Sequence, residues 1–120
     1  SEEGQSAHTI FRVLQRFSGP LLHQIGLSDL TYIEATLKTG RTHQIRVHMQ
    51  SQACPIAGDE RYGDYQANKR LQKIGLKRMF LHAAELHLNH PLTDEPLKLV
   101  APLPQELTQL LSTLENRQAV

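Results

Sequence analysis

The sequence predicts an α+β fold, an antiparallel or mixed sheet with flanking helices, and three patterns predict it. Residues 30–38 alternate apolar and polar side chains as a half-buried strand does. Ile45, Met49 and Ala53 recur every four residues, and Leu103, Leu107, Leu110, Leu111 and Leu114 form a stripe at helical spacing. The order strand, strand, helix, helix, hairpin, helix over 120 residues suits one domain rather than two.

Residues 1–6 are polar, and disorder is expected there. His8 to Phe17 carries Ile10, Phe11, Val13 and Phe17 without strict alternation, which predicts a strand with both faces partly covered. Ser18-Gly19-Pro20 is a turn signal. From Leu30 to Lys38, Ile33, Ala35 and Leu37 share one face and Tyr32, Glu34 and Thr36 the other. Thr39-Gly40 ends that strand, and the hydroxyl of Thr42 suits the start of a helix that Pro55 limits. Pro55, Gly58 and Gly63 mark residues 55–64 as a loop. Ala67, Leu71 and Ile74 predict a short basic helix ended by Gly75. Leu81 to Asn89 reads as a strand with Ala84, Leu86 and Leu88 on one face, Pro91 to Pro96 as a turn, and Leu97 to Ala101 as the hairpin partner.

Hydrophobic residues make up 39% of the chain, about 45% with glycine, the range of a globular domain and not of a disordered tail. The formal net charge of +1 does not announce a nucleic-acid binder. Locally, six basic residues from Glu60 to Arg78 face two acidic ones, which is either a solvated helix face or a surface for phosphates. Cys54 is the single cysteine, so no intrachain disulfide forms, and a reducing, cytoplasmic location is expected. No charged start precedes an apolar run, and no apolar run nears the length of a membrane span, so neither a secretory signal nor a membrane partner is expected. The chain begins Ser1-Glu2-Glu3 rather than with Met, which suits either a fragment or removal of an initiator before serine.

Chemistry concentrates in Gly40-Arg41-Thr42-His43-Gln44-Ile45-Arg46-Val47-His48. Arg41 falls at a helix N-terminus, where the dipole disfavours a cation unless an anion is near, so it is either an anion contact or a plain surface arginine. Arg46 lies one turn beyond His43, and no carboxylate close in sequence offers it a partner. Seven histidines raise the question of a metal. His43 and His48 fall about 140° apart around a helix, and His82 and His87 point to opposite sides of a strand. No metal and no cofactor is expected. Cys54 precedes a proline and no Gly-x-Ser-x-Gly elbow occurs, which argues against a serine or cysteine nucleophile.

The segment Gly40–Met49 resembles a signature of the ribosomal large-subunit branch of pseudouridine synthases. Three further stretches match in order: Thr9–Leu14, then Pro55–Asp59 with Arg61-Tyr62-Gly63, then Leu81–Leu86 with His90-Pro91. The resemblance implies that residues 1–120 are the C-terminal portion of that family's catalytic domain. It implies an enzyme that isomerises uridines in large-subunit ribosomal RNA: the glycosidic bond breaks, the base rotates, and it rejoins through carbon 5. An aspartate is the family's nucleophile, in a segment reading roughly His-Arg-Leu-Asp, and no such segment occurs here. The resemblance therefore implies that the chain on its own is inactive and that the N-terminal remainder of the same enzyme is its partner.

By the same resemblance, Arg46 pairs with that aspartate, and Ile45, Gln44 and His43 line the substrate pocket. The RNA-binding candidates are Arg41, Lys69, Arg70, Lys73 and Lys77, with ribosomal RNA as partner. The competing reading is a non-catalytic RNA-binding module. A metal-dependent hydrolase built on the histidines is weaker still.

Overall fold

The computed structural model describes residues 9–37 and 42–118. Within them run strand β1 (Thr9–Ser18), helix α1 (Pro20–Gln24), strand β2 (Asp29–Leu37), helices α2 (Thr42–Ser51) and α3 (Tyr65–Gln72), strands β3 (Glu85–Asn89) and β4 (Pro96–Val100), and helix α4 (Gln105–Gln118). The described strands form two antiparallel two-stranded sheets, β1 with β2 and β3 with β4. The α+β class is as expected, and the pairing among the described strands is antiparallel throughout rather than mixed.

The missing alternation in β1 has a local cause. Val13 pairs with Ile33 and Gln15 with Tyr32, so Leu14 is an extra residue and the register shifts there. A bulge reverses the parity of side chains beyond it. Phe11 and Val13 thus share a face with Ile33 and Ala35, whereas Phe17 beyond the bulge pairs with Leu30 on the face of Tyr32. Phe17 is 2% exposed. Both faces of β1 are partly covered at most: Phe11, Val13 and Leu14 keep 38–46% of their surface exposed, Phe11 stacks on His48 at 5.7 Å, and only the Phe17 end of the ribbon enters the core.

That core joins Phe17, Leu22, Leu71, Leu76, Leu107, Leu110 and Leu114, with Leu30, Tyr32, Phe80, Leu103 and Leu111 packed around it. The leucine stripe of α4 supplies three of the buried members, and each such side chain contributes roughly 1.5–3 kcal/mol relative to exposure. Residues 20–24, read only as following a turn, form the one-turn helix α1, with a proline in its first turn and buried Leu22 on its inner face.

Helices α1, α2 and α3 stop in the same way. In each, the sixth residue's N–H returns to the first residue's carbonyl: Leu27 to Leu22, Cys54 to Met49, and Leu76 to Leu71. This geometry needs a left-handed residue just before the returning one. Gly26 and Gly75 meet it, but in α2 the residue is Ala53, at φ 59°. Backbone geometry therefore ends α2 before Pro55 is reached.

The expected strand from Leu81 is shortened to Glu85–Asn89, although the Ala84 carbonyl still accepts the Ala101 N–H at 2.8 Å. Phe80 N–H bonds to the carbonyl of Ala57 (2.8 Å), and its ring meets Tyr32 edge-on at 5.7 Å. The hairpin pairs Leu86 with Leu99 and Leu88 with Leu97, and β4 runs Pro96–Val100, one residue earlier than the expected partner segment.

Candidate active site

The loop between α2 and α3 folds back onto α2 at Arg46. Arg46 donates from Nε to Asp59 Oδ2 and from Nη2 to Asp59 Oδ1, both at 2.9 Å. Two parallel N–H···O bonds are the strong fork geometry of guanidinium and carboxylate. Asp59 is also fixed by its own loop, since the N–H groups of Arg61 and Tyr62 donate to Oδ1 at 3.0 Å each. A short acidic side chain taking the amides two and three residues on is a usual turn device. Among the described residues, no carboxylate close in sequence partners Arg46; Asp59 is thirteen residues away, and the loop's return brings it into contact.

Further contacts hold the loop. Asn68 on α3 donates through Nδ2 to the carbonyl of Asp59 (2.9 Å) and accepts the Gly58 N–H (2.8 Å). A Cβ on Gly58 would lie 2.2 Å from the carbonyl oxygen of Arg78, and its φ is +81°, so only glycine fits there. Asp64 caps α3 by accepting the Ala67 N–H at 3.1 Å.

The Asp59 side chain is fully enclosed, while that of Arg46 keeps 25% of its surface in solvent. The hydrogen bonds from Arg46 dominate the titration of Asp59 and, with those from Tyr62 and Arg61, outweigh the effect of burial. They hold the carboxyl down at about 2, and Asp59 in turn raises Arg46 above its usual value. Tyr62 completes the cluster. Its ring lies 5.1 Å from the guanidinium carbons of both Arg46 and Arg61, and its hydroxyl is 3.1 Å from His43 Nε2.

A family profile described as RNA pseudouridylate synthase matches residues 1–51. Ribosomal large subunit pseudouridine synthase C of Yersinia pestis is 40% identical over 120 residues, all of this chain and 34% of that protein. Its counterpart in Escherichia coli strain K12 is 40% identical over 118 residues, and that in Vibrio vulnificus 38% over 113. The chain is thus similar to pseudouridine synthases, by profile over residues 1–51 and by these relatives along its length. It spans about a third of the length of the curated relatives it matches.

Among the signature residues, His43 is exposed in the first turn of α2, Gln44 is half-buried, and Ile45 is buried at 6% exposure. His43 and Arg46 meet through Tyr62, not directly. Arg41 lies outside the described residues. Lys69, Lys73 and Lys77 are exposed, with the Lys69 ammonium 5.3 Å from the Tyr65 ring. Arg70 is tied back instead, donating to the carbonyl of Gly26 at 2.9 Å. His82 donates to the Ala101 carbonyl, and His90 Nδ1 accepts the N–H groups of Leu92 and Thr93. No metal-binding group of three or more His, Cys, Asp or Glu side chains forms among the described residues, and none of their helices is long and apolar enough to cross a membrane.

Asp59, Tyr62 and Asn68 are the participants that periodicity missed. Their signal was Asp59 directly after a glycine in a loop that otherwise reads as punctuation.

Proposed function

We propose that this chain contributes half of the active site of an enzyme that isomerises uridines to pseudouridine in large-subunit ribosomal RNA, the substrate named for its relatives. The observation that carries the proposal is the half-used guanidinium of Arg46. A guanidinium has five N–H donors. Asp59 takes two, and the remaining three make no hydrogen bond to a described residue. The Nη1–Nη2 edge is therefore available for a second carboxylate, contributed by another part of the polypeptide.

Such a carboxylate would be kept ionised by the fixed charge of Arg46, as a nucleophile requires. This chain's own aspartates suit that role poorly. Asp59 is engaged by four N–H groups, Asp64 is spent as a cap, Asp94 sits in the hairpin turn at φ 60°, and Asp29 is exposed at the start of β2. His43, Gln44 and Ile45, on the same helix as Arg46, would meet the extruded base. Extrusion costs a few kcal/mol and favours loops or single strands over duplex. No residue in this arrangement requires a cofactor.

Replacing Arg46 by Ala in the full-length polypeptide tests the reading. Pseudouridine in large-subunit RNA, mapped chemically, is expected to form at least about a hundredfold more slowly, as when a preorganised charge-stabilising donor is lost. A rate near that of the parent refutes it. The RNA-binding module remains the second reading, favoured by exposed Lys69 on α3 and exposed Lys73, the residue that caps its C-terminus.

A further inference from the structure

Asp59 is the one buried charged side chain among the described residues, at 1% exposure. Its oxygens accept four N–H groups, from Arg46 Nε, Arg46 Nη2, Arg61 and Tyr62, which is about the full capacity of a carboxylate. Oδ1 accepts three of these and Oδ2 one, and with no side-chain surface in solvent the carboxylate is shielded from a sugar or a base. It can set a direction. The side chain of Arg46 has several rotatable bonds, and a bidentate contact along its Nε–Nη2 edge fixes both the plane of the guanidinium and the line along which the Nη1–Nη2 edge points. The clamp is itself immobile. Asn68 holds the Asp59 carbonyl and the Gly58 N–H, and the Arg78 carbonyl closes the space beside Gly58.

We propose that Asp59 is a positioning residue for uridine isomerisation: it clamps one edge of Arg46 so that the opposite edge meets the nucleophilic carboxylate in fixed geometry. This rests on the reading of Arg46 given above. Asp59→Asn is the sharpest probe, because it keeps the shape but turns an N–H group toward Arg46 Nε or toward the loop amides.

The experiment uses the full-length polypeptide with Asp59→Asn, Arg46→Ala and the double variant. Single-turnover pseudouridine formation on a large-subunit RNA transcript is measured beside RNA affinity. Asp59→Asn is expected to lower the rate constant about a hundredfold, the scale of a misplaced catalytic group, with RNA affinity changed less than about threefold. The double variant is expected to be no slower than Arg46→Ala, because Asp59 acts through Arg46; an independent structural role would make the two losses add. A parent-like Asp59→Asn beside a slow Arg46→Ala, or additive losses, overturns the proposal and leaves the role of Arg46 intact. A parent-like Arg46→Ala overturns both. Should Asp59→Asn fail to fold, Asp59→Glu decides, since it keeps the charge but moves it by one methylene. A rate within about threefold of the parent then overturns the proposal, and a loss above about tenfold supports it.

Discussion

The Asp59–Arg46 pair predicts a specific acid limb in the stability of this protein. The Asp59 carboxyl titrates at about 2 in the fold against 3.8 when unperturbed. Its folded value is depressed, so its contribution is present above the unfolded value and is lost as pH falls toward the folded one. The difference corresponds to about 2 kcal/mol at neutral pH, of which about 1 kcal/mol is lost between pH 5 and pH 3. Asp59→Asn removes the titrating group, retains one acceptor, and sets an amide N–H against a donor. The expected cost at pH 7 is about 2–3 kcal/mol, the range for breaking a hydrogen bond to a charged group. Urea unfolding followed by circular dichroism from pH 7 to pH 3 would read both quantities. Other carboxylates titrate in the same window, so the informative quantity is the parent-minus-variant difference. That difference should shrink by about 1 kcal/mol from pH 5 to pH 3. A gap that stays flat over that range, or a variant within about 0.5 kcal/mol of the parent at pH 7, would refute the ion pair as the cause.

Three more outcomes follow from other parts of the molecule. Ala53→Gly should stabilise the protein by up to about 1 kcal/mol in the same unfolding assay, because Ala53 holds the left-handed position that ends α2; a loss of stability would contradict that account. Changing Lys69, Lys73 and Lys77 together to Ala should flatten the salt dependence of RNA affinity by up to about three logarithmic units of slope, and an unchanged slope would assign these lysines to solvent alone. The 120-residue chain by itself should convert no uridine when incubated with large-subunit RNA, and stoichiometric conversion would require a nucleophile among its own residues.

By itself the sequence determined the elements whose signals are local. The alternation of 30–38, the leucine stripe of α4, Gly75 at the end of α3 and the hairpin around Pro91–Pro96 each depend on a repeat or a backbone preference contained within a few residues. Helix α1 is not read from the sequence, where Pro20 reads as the end of a turn and Gly26 is passed over. The resemblance of the Gly40–Met49 segment also located Arg46 and its neighbours. Only the tertiary structure decided what Arg46 touches. The bulge at Leu14 turns Phe17 toward the core in a strand whose letters do not alternate, and the loop at 55–64 returns across α2 because Asn68 and the Arg78 backbone hold it there. Periodicity reports which face of an element is apolar. It carries no information on where a loop crosses another element, because that crossing is fixed by hydrogen bonds and close contacts between residues far apart in the chain. Asp59, buried only because Arg46 and two loop amides meet it, is such a case.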